Sequence, residues 1–222
     1  MRKQLNILLL LLFCVLLSGC LPDNEEKPET IYAVFATVEN PNAMSKFYLV
    51  LDDSTKLYTA EVGELADSDF GYPKHGRRVF VHYNVLEPAS ANNIKLKNLI
   101  YVPISGITIN NTTERNDRHR LDMLYPGANY LNVLISHSLS SASSSEYDVL
   151  LIKKDSEEEG VAHFDLLYSN EGNSGHDFAM SPICFDLSSL RTTYPDSVKL
   201  VINTYEESSE SPKVHTMKYK WQ

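Results

Sequence analysis

From Ile31 onward the sequence is a succession of short runs rich in β-branched and aromatic residues. Each run ends in a turn signal, and apolar residues almost never recur at helical spacing. That pattern excludes a helical bundle and a βαβ fold and predicts an all-β protein. The first runs are Ile31–Glu39, Lys46–Leu51 and Lys56–Val62. Asn40-Pro41-Asn42 closes the first, and Asp52-Asp53-Ser54 reads as a tight hairpin between the second and third. Val79, Val81, Tyr83 and Val85 then alternate with residues such as His82 and Asn84, the mark of a half-buried strand. Ile94–Val102 is the fifth run, and Pro103 breaks the ladder. Five strands read as a meander, with a longer gap after the third, predict a small OB-like barrel over residues 31–104. Closing the sheet removes exposed edges from so short a unit.

Residues 105–222 predict a β-sandwich. The stretch 108–128 is polar and irregular, with a helical turn expected near Leu121–Leu124 ahead of Pro126-Gly127. Strand-like runs follow at Tyr130–Leu139, Tyr147–Lys153, Val161–Tyr168, Pro182–Leu187, Val198–Thr204 and Lys213–Trp221, with turn signals at sandwich spacing. The last places Met217, Tyr219 and Trp221 on one face and Lys218 and Lys220 on the other. Seven serines between Ser136 and Ser145 suggest a long flexible hairpin loop. A barrel of this size buries only about 60% of its unfolded surface, so it is expected to lean on its neighbour.

The N-terminus carries an address. Arg2 and Lys3 precede an apolar run, Ile7–Leu17, of 11 residues, well short of the roughly 20 that a spanning helix needs. This is the grammar of a secretory signal over residues 1–19. The Leu17-Ser18-Gly19-Cys20 that ends it resembles the lipobox of bacterial lipoproteins. That resemblance implies a diacylglyceryl group on the Cys20 thiol, cleavage just before it and acylation of the freed amine by a fatty acid such as palmitate. Buried acyl methylenes contribute about 0.8 kcal/mol each, and two or more chains hold a protein firmly on a membrane. Cleavage would leave 203 of the 222 residues and, by removing Arg2 and Lys3, take the net charge from −9 to −11. Residues 20–30 then form a tether, extended by Pro22, Pro28 and charge. Asp23, Glu25 and Glu26 loosely resemble an export signal of Gram-negative lipoproteins. The expected location is therefore the Gram-negative envelope, at the outer membrane.

The residues also resemble those of NigD-like lipoproteins. The similarity runs through Ala36-Thr37-Val38, the hairpin from Tyr48 to Asp53, and the strand opening Gly76–Val79. It continues in Tyr130-Leu131-Asn132-Val133, Phe185–Leu190 and Val198–Thr204. It implies an N-terminal OB-like domain before a C-terminal β-sandwich, as the strand pattern does independently. One departure is Asp53-Ser54, where the hairpin usually carries a glycine. The family name implies an association with bacteriocins, and the resemblance assigns no functional residue beyond the lipidated cysteine.

Chemistry is sparse. The acidic balance argues against nucleic acid, which needs a basic stripe. There is no phosphate loop, GxSxG elbow, HExxH or CxxC. After processing, Cys184 is the remaining free thiol, expected to be buried and inert in Ile183-Cys184-Phe185. His163, Asp165, His176 and Asp177 are the most metal-like group but share no known ligand spacing. His137 lies beside the serine run, where a flexible loop could not orient a base. No catalytic residue, metal or cofactor is assigned. Tyr32, Phe35, Phe47, Tyr48 and Tyr58 could form a stacking platform on the barrel, or fill the barrel and the domain interface. Asp53-Ser54-Thr55 and Asp196-Ser197-Val198 resemble bacterial O-glycosylation triplets. The expected function is a lipid-anchored, non-catalytic binding or structural role, with an envelope protein, a glycan or a toxin as partner. A bacteriocin-immunity role and a hydrolase with a dispersed site are the alternatives.

Overall fold

The structure is a computed structural model of the chain and describes residues 29–42, 47–62, 73–87, 91–109, 117–139, 147–169, 177–207 and 209–221. The leader, Cys20, His176 and most of the serine run lie outside the described residues.

Five strands build the first half: β1 (Tyr32–Glu39), β2 (Tyr48–Leu51), β3 (Lys56–Val62), β4 (Arg78–Val85) and β5 (Asn93–Tyr101). They close into a barrel in the order β1-β2-β3-β5-β4. The connectivity is not the simple meander expected. The chain crosses over after β3, β5 returns parallel to β3, and β4 pairs with β1 to shut the barrel. Alternation decides what fills it. Ala36, Val38, Leu49, Leu57, Val79, Val81, Ile94 and Leu96 point inward and are buried. The β2–β3 hairpin turns on Asp52-Asp53-Ser54. Ser54 N–H donates to the Leu51 carbonyl at 2.9 Å, and Thr55 N–H to Asp53 Oδ1 at 2.9 Å. Ser54 occupies the left-handed region at φ 70°, the conformation for which glycine is the usual residue.

The second half begins with two short strands, β6 (Ile104–Ser105) and β7 (Thr108–Ile109). Each runs parallel to a different sheet, so this one segment seeds both layers. The remaining strands are β8 (Arg120–Gly127), β9 (Tyr130–Leu139), β10 (Asp148–Lys154), β11 (Val161–Ser169), β12 (Asp177–Asp186), β13 (Ser197–Thr204) and β14 (Lys213–Lys220), with a 3₁₀ turn at Ser188–Thr192. One sheet is β14-β13-β11-β10-β7 and the other β6-β12-β9-β8. Leu131, Val133, Ile135, Leu151, Phe164, Leu166, Phe185 and Trp221 fill the space between them.

Three expectations change here. The helical turn expected at Leu121–Leu124 is β8. A bulge between Leu121 and Met123 breaks the alternation, and the resulting spacing mimics a helical face. Ser136, His137 and Ser138 belong to β9, not to a loop. β12 begins five residues before Pro182. That proline is tolerated because β6 covers only Cys184 and Phe185, which leaves the rest of β12 an edge on that side.

Residues 31–222 form one compact unit. The outer face of the barrel packs on the outer face of the four-stranded sheet, where Phe35, Phe80, Val102, Leu134 and Cys184 make a third core. β9 is thus buried on both faces: Leu131, Val133 and Ile135 enter the sandwich, while Asn132 and Leu134 face the barrel.

Candidate functional site

A hollow of about 420 Å³ opens at one end of the barrel, between the turn after β1, the start of β2, the middle of β3 and the start of β5. Its geometry follows from strand register. Tyr48 and Tyr58 are directly opposed across β2 and β3, while the next pair, Leu49 and Leu57, points into the barrel. The two tyrosines therefore share the outer face, with ring centroids 5.9 Å apart. Lys56 Nζ sits 5.1 Å from the Tyr48 ring centre and fixes that ring by a cation–π contact. Tyr58 is the open one, at 47% exposure. The floor is tied down: Thr59 Oγ1 donates to the Phe47 carbonyl at 2.5 Å, and Asn40 Nδ2 to the Pro73 carbonyl at 3.0 Å. Both Asn40 and Thr59 are buried, and Glu39, Asn42 and Asn93 add polar groups to the wall.

A buried polar centre holds the barrel to the sandwich. Arg78, 2% exposed, donates through Nη2 to Asn132 Oδ1 at 2.8 Å and pairs with Asp52 Oδ1 at 2.5 Å. Asn132 Nδ2 donates to Asp52 Oδ2 at 2.7 Å, which closes the triangle. The guanidinium also lies over the rings of Phe35 and Tyr130. Cys184 Sγ donates to Asn132 Oδ1 at 3.1 Å, and burial pushes its thiol up to about 11. Burial likewise, with Asp52 adding to it, pushes the Tyr125 phenol up to about 12. Gly127 gives Asp52 its room, since a Cβ there would lie 2.5 Å from the Asp52 Cβ.

The far end of the sandwich core turns polar. His137 Nε2 lies 2.8 Å from Ser181 Oγ, and both residues are buried. The His137 ring packs against Tyr168, which also contacts His119. His119 is fully buried, and its strand segment bridges to Glu206. Desolvation lowers the pKa of both histidines.

The residues singled out from the sequence go to different places. Phe35 is in the core between barrel and sandwich, and Phe47 is in the barrel core. Tyr32 stacks on Tyr83, 5.5 Å between centroids. Of the five aromatics, Tyr48, Tyr58 and the edge of Phe47 line the hollow. His163 and Asp165 share the outer face of β11, but Asp165 binds Lys154 and Asn203, and His163 faces Glu158. Asp177 begins β12, in the other sheet, and His176 lies outside the described residues. Among the described residues no three metal-ligating side chains converge. His137 stands on a strand rather than a loop, and the serine it meets is Ser181. In the sequence Asn40-Pro41-Asn42 carries only a turn signal, Asp52 only a hairpin signal, and Arg78 no signal of its own. The lone asparagine inside the apolar run Tyr130–Ile135 was the available signal.

An OB barrel ahead of, and packed upon, a β-sandwich defines a two-domain all-β protein. Two family models match most of its length: the NigD-like N-terminal OB domain over residues 35–100 and the NigD-like C-terminal beta sandwich domain over residues 103–219. The chain belongs to the NigD-like family. Among solved structures it is similar to a protein of unknown function from Bacteroides vulgatus, at 24% identity and TM-score 0.63, covering 86% of this chain and 92% of that one. A NigD-like immunity protein from Bacteroides caccae shows 14% identity and TM-score 0.63, covering 87% and 98%. A candidate lipoprotein from Bacteroides fragilis shows 12% identity and TM-score 0.53, over the same shares. These likenesses are of fold. No curated protein of described function matches the chain.

Proposed function

We propose that the protein is a lipid-anchored component of the Gram-negative envelope that binds a partner without chemically changing it. The observation that carries the non-catalytic half is where the reactive groups lie. Cys184, Ser181 and His137 are built into packed cores, with the thiol held protonated by burial. A nucleophile works only where substrate can reach it and a base can orient it. The open surface at the barrel end offers amides and tyrosines instead. The anchoring half rests on Leu17-Ser18-Gly19-Cys20 and on the fold shared with a candidate lipoprotein. Asp23, Glu25 and Glu26 after the cysteine favour the outer membrane.

Detergent phase partitioning tests the anchor. The native protein is expected in the detergent phase with label from fed palmitate, and Cys20→Ala in the aqueous phase without it. A variant that still enters the detergent phase overturns the anchor. A second reading is immunity, favoured by the fold shared with a protein named a NigD-like immunity protein. It requires a toxin gene beside this one and a deletion strain sensitised to that toxin. An unchanged toxin dose response in the deletion strain removes it.

A further inference from the structure

We propose that the hollow formed by Glu39, Asn40, Asn42, Tyr48, Tyr58 and Asn93 binds the end of a neutral oligosaccharide. The inference rests on the non-catalytic binding role above and names the ligand class for it.

Three observations converge. The first is the ring arrangement. Tyr58 is 47% exposed and packs against Tyr48, which Lys56 holds in turn. An ordered aromatic ring with one free face suits the flat, C–H-bearing side of a pyranose, and its two-torsion side chain loses little freedom on binding. The second is the company those rings keep. Three asparagines and a glutamate border the same hollow. The amides of Asn42 and Asn93 offer donors and acceptors, and the Glu39 carboxylate, which meets His75 Nδ1 through Oε2 at 3.2 Å, accepts from hydroxyls at the rim. That is the inventory a sugar's hydroxyls require, whereas an apolar peptide segment would leave these groups desolvated and unmatched. The third is the position. In five-stranded OB barrels the face of the second and third strands, with the loop joining the first two, is where oligosaccharides and oligonucleotides bind. Here β2 and β3 carry the tyrosines, and the turn after β1 carries Asn40 and Asn42. The net charge of −9, with Glu39 at the rim, selects the uncharged member of that pair of ligand classes.

The hollow is also a built feature. Asn40 and Thr59 are both 4% exposed, and each is tied to backbone: Asn40 to the Pro73 carbonyl, Thr59 to the Phe47 carbonyl and N–H. The volume of about 420 Å³ falls in the usual range for ligand sites, about 300–1,000 Å³.

The test uses full-length protein in a non-glycosidic detergent, with calorimetric titration of maltotetraose, cellotetraose, chitotetraose and mannotetraose. At least one is expected to bind. Tyr58→Ala should weaken that binding 10-fold or more, and Asn93→Ala severalfold, with melting temperatures unchanged. A photo-crosslinking side chain at position 58 then reports the occupant in intact cells, where a glycan adduct is expected. No binding across the panel, or binding indifferent to Tyr58→Ala, overturns the inference. Adducts at position 58 that are polypeptide alone also overturn it, while leaving the binding role standing. Turnover of any sugar in the panel would instead overturn the non-catalytic reading itself.

Discussion

Two buried polar centres sit on the two faces of the same β-sheet, and they are built on opposite principles. Toward the barrel, Arg78, Asp52 and Asn132 engage one another in a closed triangle of one ion pair and two hydrogen bonds. Toward the sandwich, His119, His137, Tyr168 and Ser181 lie among aromatic rings, and burial favours the uncharged histidines. The first centre works because it is charged, the second because it is not. A buried ion pair is strong only while both partners are present, and a buried histidine is tolerable only while neutral. The lesson is that one fold can use polarity as a lock in one place and as a pH-limited filler in another.

The largest effect is expected at the lock. Arg78→Met leaves the partly buried Asp52 carboxylate without its ion-pair partner, which costs up to about 3–5 kcal/mol and should lower the melting temperature by roughly 10 °C. The double variant Asp52→Leu/Arg78→Met should lose less than Arg78→Met alone, because no charge is stranded. If the double variant is worse than the single one, the triangle is mere packing. Gly127→Ala comes next. Its Cβ would collide with Asp52, so about 1–3 kcal/mol should be lost in denaturant unfolding, and none if the hairpin simply shifts.

The histidine centre gives a pH signature. His119 and His137 have folded pKa values below the ordinary 6.5, so below about pH 6.5 the unfolded chain takes up protons that the folded chain refuses. Stability should be full above that pH and fall as pH drops toward the folded values, by up to about 1.4 kcal/mol per pH unit for each histidine. Replacing His119 by Phe should flatten that slope. A melting temperature that does not change between pH 7.5 and 5.5 would contradict the reading. The smallest effect belongs to the β2–β3 turn. Ser54→Gly should stabilise by about 0.5–1 kcal/mol, because Ser54 holds φ 70°.

The same contrast explains what was legible in the sequence. Continuous runs of β-branched and aromatic residues are legible whether one face or both are covered: β3 and β9 have the bounds the sequence suggests, and β4 follows Val79, Val81, Tyr83 and Val85 although it is buried on both faces. β8 reads as a helical turn because its bulge spoils the period, and the start of β12 is hidden because Pro182, which ordinarily bounds a strand, follows Phe178-Ala179-Met180. Barrel connectivity was not legible either, since β3–β5 pairing depends on which edges meet and not on any local pattern. For the candidate site, Tyr48 and Tyr58 could be named from the sequence, but register alone separates them from Phe47, which turns into the barrel, and from Phe35, which turns toward the sandwich. The asparagines of the hollow carried only a turn signal. The Arg78–Asp52–Asn132 triangle joins three segments far apart in the chain, so no spacing rule finds it.

Barrel and sandwich form one body, joined at the Arg78 centre, that presents the hollow on a fixed scaffold. Differential scanning calorimetry of the full-length protein at pH 7.5 tests this most directly. The expected result is one transition, with equal calorimetric and van't Hoff enthalpies, that splits into two or broadens in Arg78→Met. Two separate transitions in the native protein, or an Arg78→Met trace that matches the native one, would contradict it.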